Sequence, residues 1–122
     1  MITLKTTEKN EAQLFFEKEG LSFSDNSNCL CAKDNEEVLG YCLFDIENKK
    51  MTIHAIEPQN DLMLLDGILR STLHIAASRE LSEAACGEKA PEKIFKTLGF
   101  IKDDGTLNIN KLFESHCSGC GK

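Results

Sequence analysis

The clearest pattern in the chain is a stretch whose two alternating faces are both apolar. Between Glu37 and Ile46, Val38, Gly40, Cys42, Phe44 and Ile46 fall on one face, and Leu39, Tyr41 and Leu43 on the other. Such a pattern predicts a central strand covered on both sides. Glu47-Asn48-Lys49-Lys50 then turns the chain, and Met51 to Ile56 is expected to return antiparallel. Glu57-Pro58-Gln59-Asn60 ends that strand, because proline has no N–H for a ladder. Asn60 or Asp61 is placed to cap a long helix over roughly Asp61 to Arg79. Leu64, Ile68 and Ile75 line one edge of its apolar face, with Leu65, Leu69, Leu73 and Ala76 beside them. Asp66 and Arg70 are spaced as an i,i+4 pair, and Gly67 inside the helix suggests close packing there.

The flanking segments are shorter. Ile2 to Leu4 reads as a strand, and Thr6 or Thr7 as the cap of a helix from Glu8 to Glu19 that Gly20 ends. Asn28 to Ala32 reads as a strand joined to the central one by Lys33-Asp34-Asn35-Glu36. Past the long helix, Glu83 to Cys86 is a strand; strand, helix, strand normally means a right-handed crossover and a parallel pair. Pro91 suits a first helical turn, with Glu92 to Leu98 closed by Gly99. Phe100 to Lys102 and Thr106 to Ile109 flank Asp103-Asp104-Gly105 as a hairpin, and Lys111 to Ser115 forms a last turn. The expected fold class is α/β (α+β): a mixed, mostly antiparallel sheet with one parallel pair and helices on both faces. Residues 1–115 form a single domain and 116–122 a cysteine-containing tail.

Composition narrows the function classes. A chain of 122 residues with 41% hydrophobic residues is one domain with a core of its own. Twenty acidic residues against 14 Lys plus Arg give −6, and Arg70 and Arg79 are the two arginines; a basic nucleic-acid footprint is not expected. No apolar run reaches the roughly 20 residues that span a bilayer, and the first residues lack a signal-peptide pattern, so a cytoplasmic, soluble protein is expected. Six cysteines are therefore read as reduced thiols, with Cys29, Cys31, Cys42 and Cys86 on strands as small apolar residues.

The hairpin of central strands, Ile56-Glu57-Pro58, the long helix and Ile94-Phe95-Lys96-Thr97-Leu98-Gly99-Phe100 together resemble the GNAT family of acetyl-CoA-dependent N-acetyltransferases. The last stretch is similar to the family's Y-x-K-x-G-F. The resemblance spans nearly the whole chain and implies a GNAT-like sheet whose strand Met51–Ile56 splays from Glu83–Cys86 to form a slot. It implies acetyl-CoA as cosubstrate, held by backbone groups at Ile56 and by the amides of Leu62, Met63, Leu64 and Leu65, and transfer of an acyl group to a small amine or a peptide. His54 and Glu57 are the candidate catalytic residues; His54 has a free-solution pKa near 6.5, suited to a base. Two departures stand out. The family's pyrophosphate loop, Q/R-x-x-G-x-G/A, is matched by Gln59-Asn60-Asp61-Leu62-Met63-Leu64 or by Asp61-Leu62-Met63-Leu64-Leu65-Asp66, neither with a glycine. The family's thiolate-protonating Tyr corresponds to Phe95.

Two other functions stay open. One is a catalytically inactive domain that uses the old slot to bind a partner. The other is a thiol- or metal-linked sensor built on His116-Cys117-x-x-Cys120, with Cys29-x-Cys31 as conceivable further ligands. The bland readings are a core histidine at 54, a solvated rim residue at Glu57, a structural His74 and an idle tail. No metal is expected, and a homodimer is a possible assembly.

Overall fold

The computed structural model describes residues 1–109. The expected last turn and His116, Cys117 and Cys120 lie outside the described residues. Five strands, β1 (Ile2–Thr6), β2 (Ser27–Asp34), β3 (Glu37–Glu47), β4 (Lys50–Glu57) and β5 (Glu83–Cys86), form one sheet in the order β1-β2-β3-β4-β5. The first three pairings are antiparallel and β4–β5 is parallel. Helix α1 (Lys9–Lys18) lies on one face of the sheet, and α2 (Leu62–Ser78), which makes the crossover from β4 to β5, lies on the other; α3 (Glu92–Thr97) follows β5. The mixed sheet with helices on both faces is the architecture expected from the pattern.

The dual-faced apolar run of β3 separates two cores. Cys42 and Phe44 pack with Met51, Ile53 and Ile56 of β4 and with Leu65, Ile68, Leu69 and Leu73 of α2. Tyr41 and Leu43 pack with Cys29, Cys31 and Ala55 and with Ala12 and Phe16 of α1. Leu39 departs from expectation. It is the extra residue of a bulge opposite the Ala32–Lys33 step of β2, so alternation breaks and Leu39 joins the α2 side.

The turns follow their sequences. Asn48 and Lys49 both have positive φ (54° and 62°), the geometry of a tight two-residue hairpin between β3 and β4. Helix α1 does not use Thr6 or Thr7 as a cap; its N-cap is Glu8, with no side-chain bond, because the Thr7 N–H is spent on the Cys29 carbonyl. Gly20 ends that helix at φ 72°. Pro91 stands at the N-cap of α3 rather than in its first turn. The expected terminal hairpin shrinks to a single bridge, Ile101 to Leu107. The Lys102 N–H to Thr106 carbonyl and Asn108 N–H to Phe100 carbonyl bonds, both 2.7 Å, flank that bridge, and the Leu107 N–H bonds the Ala84 carbonyl of β5 at 2.8 Å.

The four described cysteines are free thiols, three of them buried and Cys86 half-buried. Burial pushes the Cys42 thiol up to about 12, and burial followed by the Glu92 charge pushes Cys86 up to about 11. Burial also raises Cys29 and Cys31. Unfolded thiols ionise near their ordinary value of 9.0. Because the folded thiols hold their protons to higher pH, this contribution to stability is complete below pH 9 and is lost as pH rises toward those folded values. Urea unfolding from about pH 7 to about pH 10 should therefore show a midpoint that falls above pH 9, with a smaller fall in Cys42→Ala.

Two glycines behave in opposite ways. A Cβ on Gly40 would run into the Glu57 carbonyl and come within 2.8 Å of both Ile68 Cδ1 and Pro58 Cδ. Gly67, expected to mark close packing, would meet nothing within 4 Å; it faces an open groove. Gly67→Ala should stabilise the fold by about 1 kcal/mol through helix propensity. Gly40→Ala should destabilise it by about 1–3 kcal/mol through overpacking. Chemical denaturation of the two variants checks both signs.

Candidate active site

The ladder between β4 and β5 runs from Lys50–Glu83 to Ile53–Cys86. Beyond it the Gly87 N–H bonds the Ile53 carbonyl at 2.7 Å. His54, Ala55, Ile56 and Glu57 continue β4 along β3 with no further described rung to β5. The strands thus part at Ile53, and the part of β4 that carries the candidate residues forms one arm of a fork.

His54 lies at a second irregularity. Leu43 pairs with Ala55 and Phe44 with Ile53, so His54 is the unmatched residue of a bulge. Bulges re-aim side chains and are frequent beside active sites. The imidazole points to the α1 face, edge-on to Phe16 with ring centroids 6.3 Å apart. Its Nε2 lies 3.1 Å from Asp45 Oδ2. Both side chains are partly accessible (25% and 31%), so the pair is in contact with water and not entombed. A Cβ on Gly87 would sit 2.9 Å from His54 Nδ1, which sets the other ring nitrogen against the first residue beyond β5.

Glu57 ends β4 opposite Tyr41. The Tyr41 hydroxyl donates to Glu19 Oε2 at 2.5 Å. Burial, then that acceptor and the nearby Glu19 and Glu57 charges, push the phenol well above its ordinary range, so it stays protonated. Lys89 donates to the Glu19 carbonyl at 2.6 Å, tying the segment after β5 to the end of α1.

The expected cofactor positions divide. Ile56 is fully buried on the α2 face. Leu65 is also fully buried, whereas Leu62 and Met63 are exposed at 47% and 88%. Asp61 is the N-cap of α2: its carboxylate accepts the Leu64 N–H at 3.2 Å and its carbonyl accepts the Leu65 N–H at 2.9 Å. Two of the four amides named for a pyrophosphate are therefore bound internally, next to a negative charge. Met63 and Leu64 line an apolar groove of about 730 Å3 with Ile2, Leu4, Leu39 and Gly67, which Pro58, Asn60 and Asp61 also border just past the end of β4. Phe95 is fully buried in the α2-side core. Among the described residues no group of three or more His, Cys, Asp or Glu is arranged to hold a metal ion, and no helix is long and apolar enough to cross a membrane.

The structure of this chain superposes on two ribosomal-protein-alanine N-acetyltransferases. One, from Brucella melitensis biovar Abortus 2308, is 14% identical with a TM-score of 0.62, covering 84% of this chain and 94% of the other. The second, the ribosomal-protein-S18-alanine N-acetyltransferase of Escherichia coli, is 12% identical with a TM-score of 0.59, covering 88% of both chains. This is a GNAT fold. No family model matches the sequence and no curated protein matches it, so the likeness is one of fold and not of sequence. The parting of β4 and β5 at Ile53 lies where the resemblance implied a slot.

Two residues of the site escaped the sequence reading. Asp45 was visible as the one charged residue between Val38 and Ile46 in an otherwise apolar strand. Gly87 gave no signal, since its closeness to His54 depends on the register of β4 against β5.

The cap itself is testable. Asp61→Ala should cost about 1 kcal/mol of stability by leaving the Leu64 N–H without its acceptor. Asp61→Asn should retain most of it, as read from thermal or urea unfolding.

Proposed function

We propose that the chain transfers an acyl group from acetyl-CoA to a primary amine of a small molecule or peptide, at the fork between β4 and β5. The observation that carries this reading is the parting of the strands beyond Ile53 with an Asp45-held imidazole on the freed arm. Free backbone on that arm offers the polar edge a pantetheine amide would pair with. His54 takes the proton that the amine must lose, through Nδ1. The amine nitrogen attacks the thioester carbonyl, the new C–N bond forms, and the C–S bond breaks. Sulfur leaves as a thiolate; with an ordinary thiol pKa near 8.5 it departs at neutral pH without a fixed acid, consistent with the buried Phe95. Glu57, at the rim, adds negative charge that favours a cationic amine.

The same structure favours a second reading at one point. The Asp61 carboxylate on the Leu64 amide occupies the place where a pyrophosphate would sit, as fits a GNAT fold that binds a partner and performs no chemistry. Calorimetric titration with acetyl-CoA and with CoA separates the two. Binding in the micromolar to low millimolar range is expected, tightened several-fold by Asp61→Asn, which keeps the cap and removes the charge. His54→Gln should lower acetylation of a mixed panel of primary amines and peptides by about 100-fold, in the range of a lost general base. No heat at millimolar acetyl-CoA for both the native chain and Asp61→Asn would eliminate the transferase reading.

A further inference from the structure

We infer that Asp45 is a positioning residue: by accepting the Nε2–H of His54 it fixes the imidazole in one tautomer and leaves Nδ1, beside Gly87 at the fork, as the basic nitrogen. The inference rests on the reading of His54 as the base. It starts from an elementary asymmetry. An ionised carboxylate only accepts hydrogen bonds, so a hydrogen bond across the 3.1 Å contact to Oδ2 places the proton on Nε2. In the neutral ring the lone pair is then on Nδ1.

Three features give that assignment a purpose. His54 has no partner in the β3 register, and its alternation with Met51 and Ile53 sets it on the α1 face, where Phe16 stands edge-on to the ring. Gly87 leaves room for Nδ1: a side chain there would press to 2.9 Å on Nδ1, and it has little freedom to withdraw, because the same Cβ would lie 3.2 Å from the Ile53 carbonyl. The third feature is Asp45 itself. Its Oδ1 is buried with no hydrogen-bond partner among the described residues, so the carboxylate caps no helix and closes no turn. A half-satisfied carboxylate costs stability, and its described polar partner is the imidazole alone. Among the described contacts of the ring, Asp45 from β3 is the charged group; Phe16 from α1 and Gly87 after β5 are neutral.

The test uses the unliganded full chain with 15N-labelled histidine, read by two-bond 15N–1H correlation spectra against pH, with the His54 signals assigned from His54→Gln. The native chain should show neutral His54 with Nε2 protonated and Nδ1 bare. Asp45→Ala should release the ring to a mixture of the two neutral tautomers. Asp45→Asn, which preserves shape, should do the same in smaller measure and serves if the alanine variant does not fold. A native ring protonated on Nδ1, or a tautomer that neither variant moves, would overturn the inference, even if the variants unfold more readily. Because no cosubstrate is present, the outcome stands whether or not acetyl-CoA is used. If acyl transfer is found, Asp45→Asn should lower kcat at least tenfold with the KM for acetyl-CoA unchanged, whereas failure of that reading appears as absent acetyl-CoA binding with the tautomer intact.

Discussion

The hydrogen bond from the Gly87 N–H to the Ile53 carbonyl is the last that ties β4 to β5, and the arrangement of the site follows from where it falls. Up to that point β4 is a buried strand in a continuous sheet. After it, β4 pairs with β3 alone among the described residues. The bulge at His54 is the next residue, so the change in pairing and the change in side-chain direction coincide. A strand kept in full register with β3 would have set Ala55 on the α2 side and Ile56 on the α1 side, the reverse of what is found.

The two cores explain why this fork holds its shape with so little chain. The α2 side is the larger, with Phe44, Met51, Ile53, Ile56, Ile68 and Leu69 packed without exposure. That side anchors β3 and β4 as a rigid pair. The α1 side is smaller and includes polar neighbours: Tyr41 with Glu19, and His54 with Asp45. Chemistry-bearing groups collect on the thin side because the thick side has no room for unpaired polar atoms.

Much of the fold could be read from periodicity, because each signal was local. The alternation of β3, the 3.6-residue stripe of α2 and the Asn48-Lys49 turn depend on neighbours in sequence. The errors have a common cause in tertiary context. Leu39 changed face through a bulge that no pattern announces, and the terminal hairpin, reduced to one bridge, joins the sheet through the Leu107 N–H on the Ala84 carbonyl. Gly67 looked like a packing contact and instead faces a groove. At the site, His54 and Glu57 were legible from their place near the end of a strand, but the pairing of His54 with Asp45 joins residues on two strands whose register the sequence does not reveal. The glycine-free start of α2 was legible too, though its occupant was not.

Asp61 has a meaning beyond helix capping. An anion placed within reach of the first amides of α2 acts as a built-in counterion, so that the end of the helix is neutralised before any ligand arrives. Any anion approaching those N–H groups would have to displace the carboxylate or share the amides with it, so a single residue of the chain sets how readily this helix end accepts negative charge.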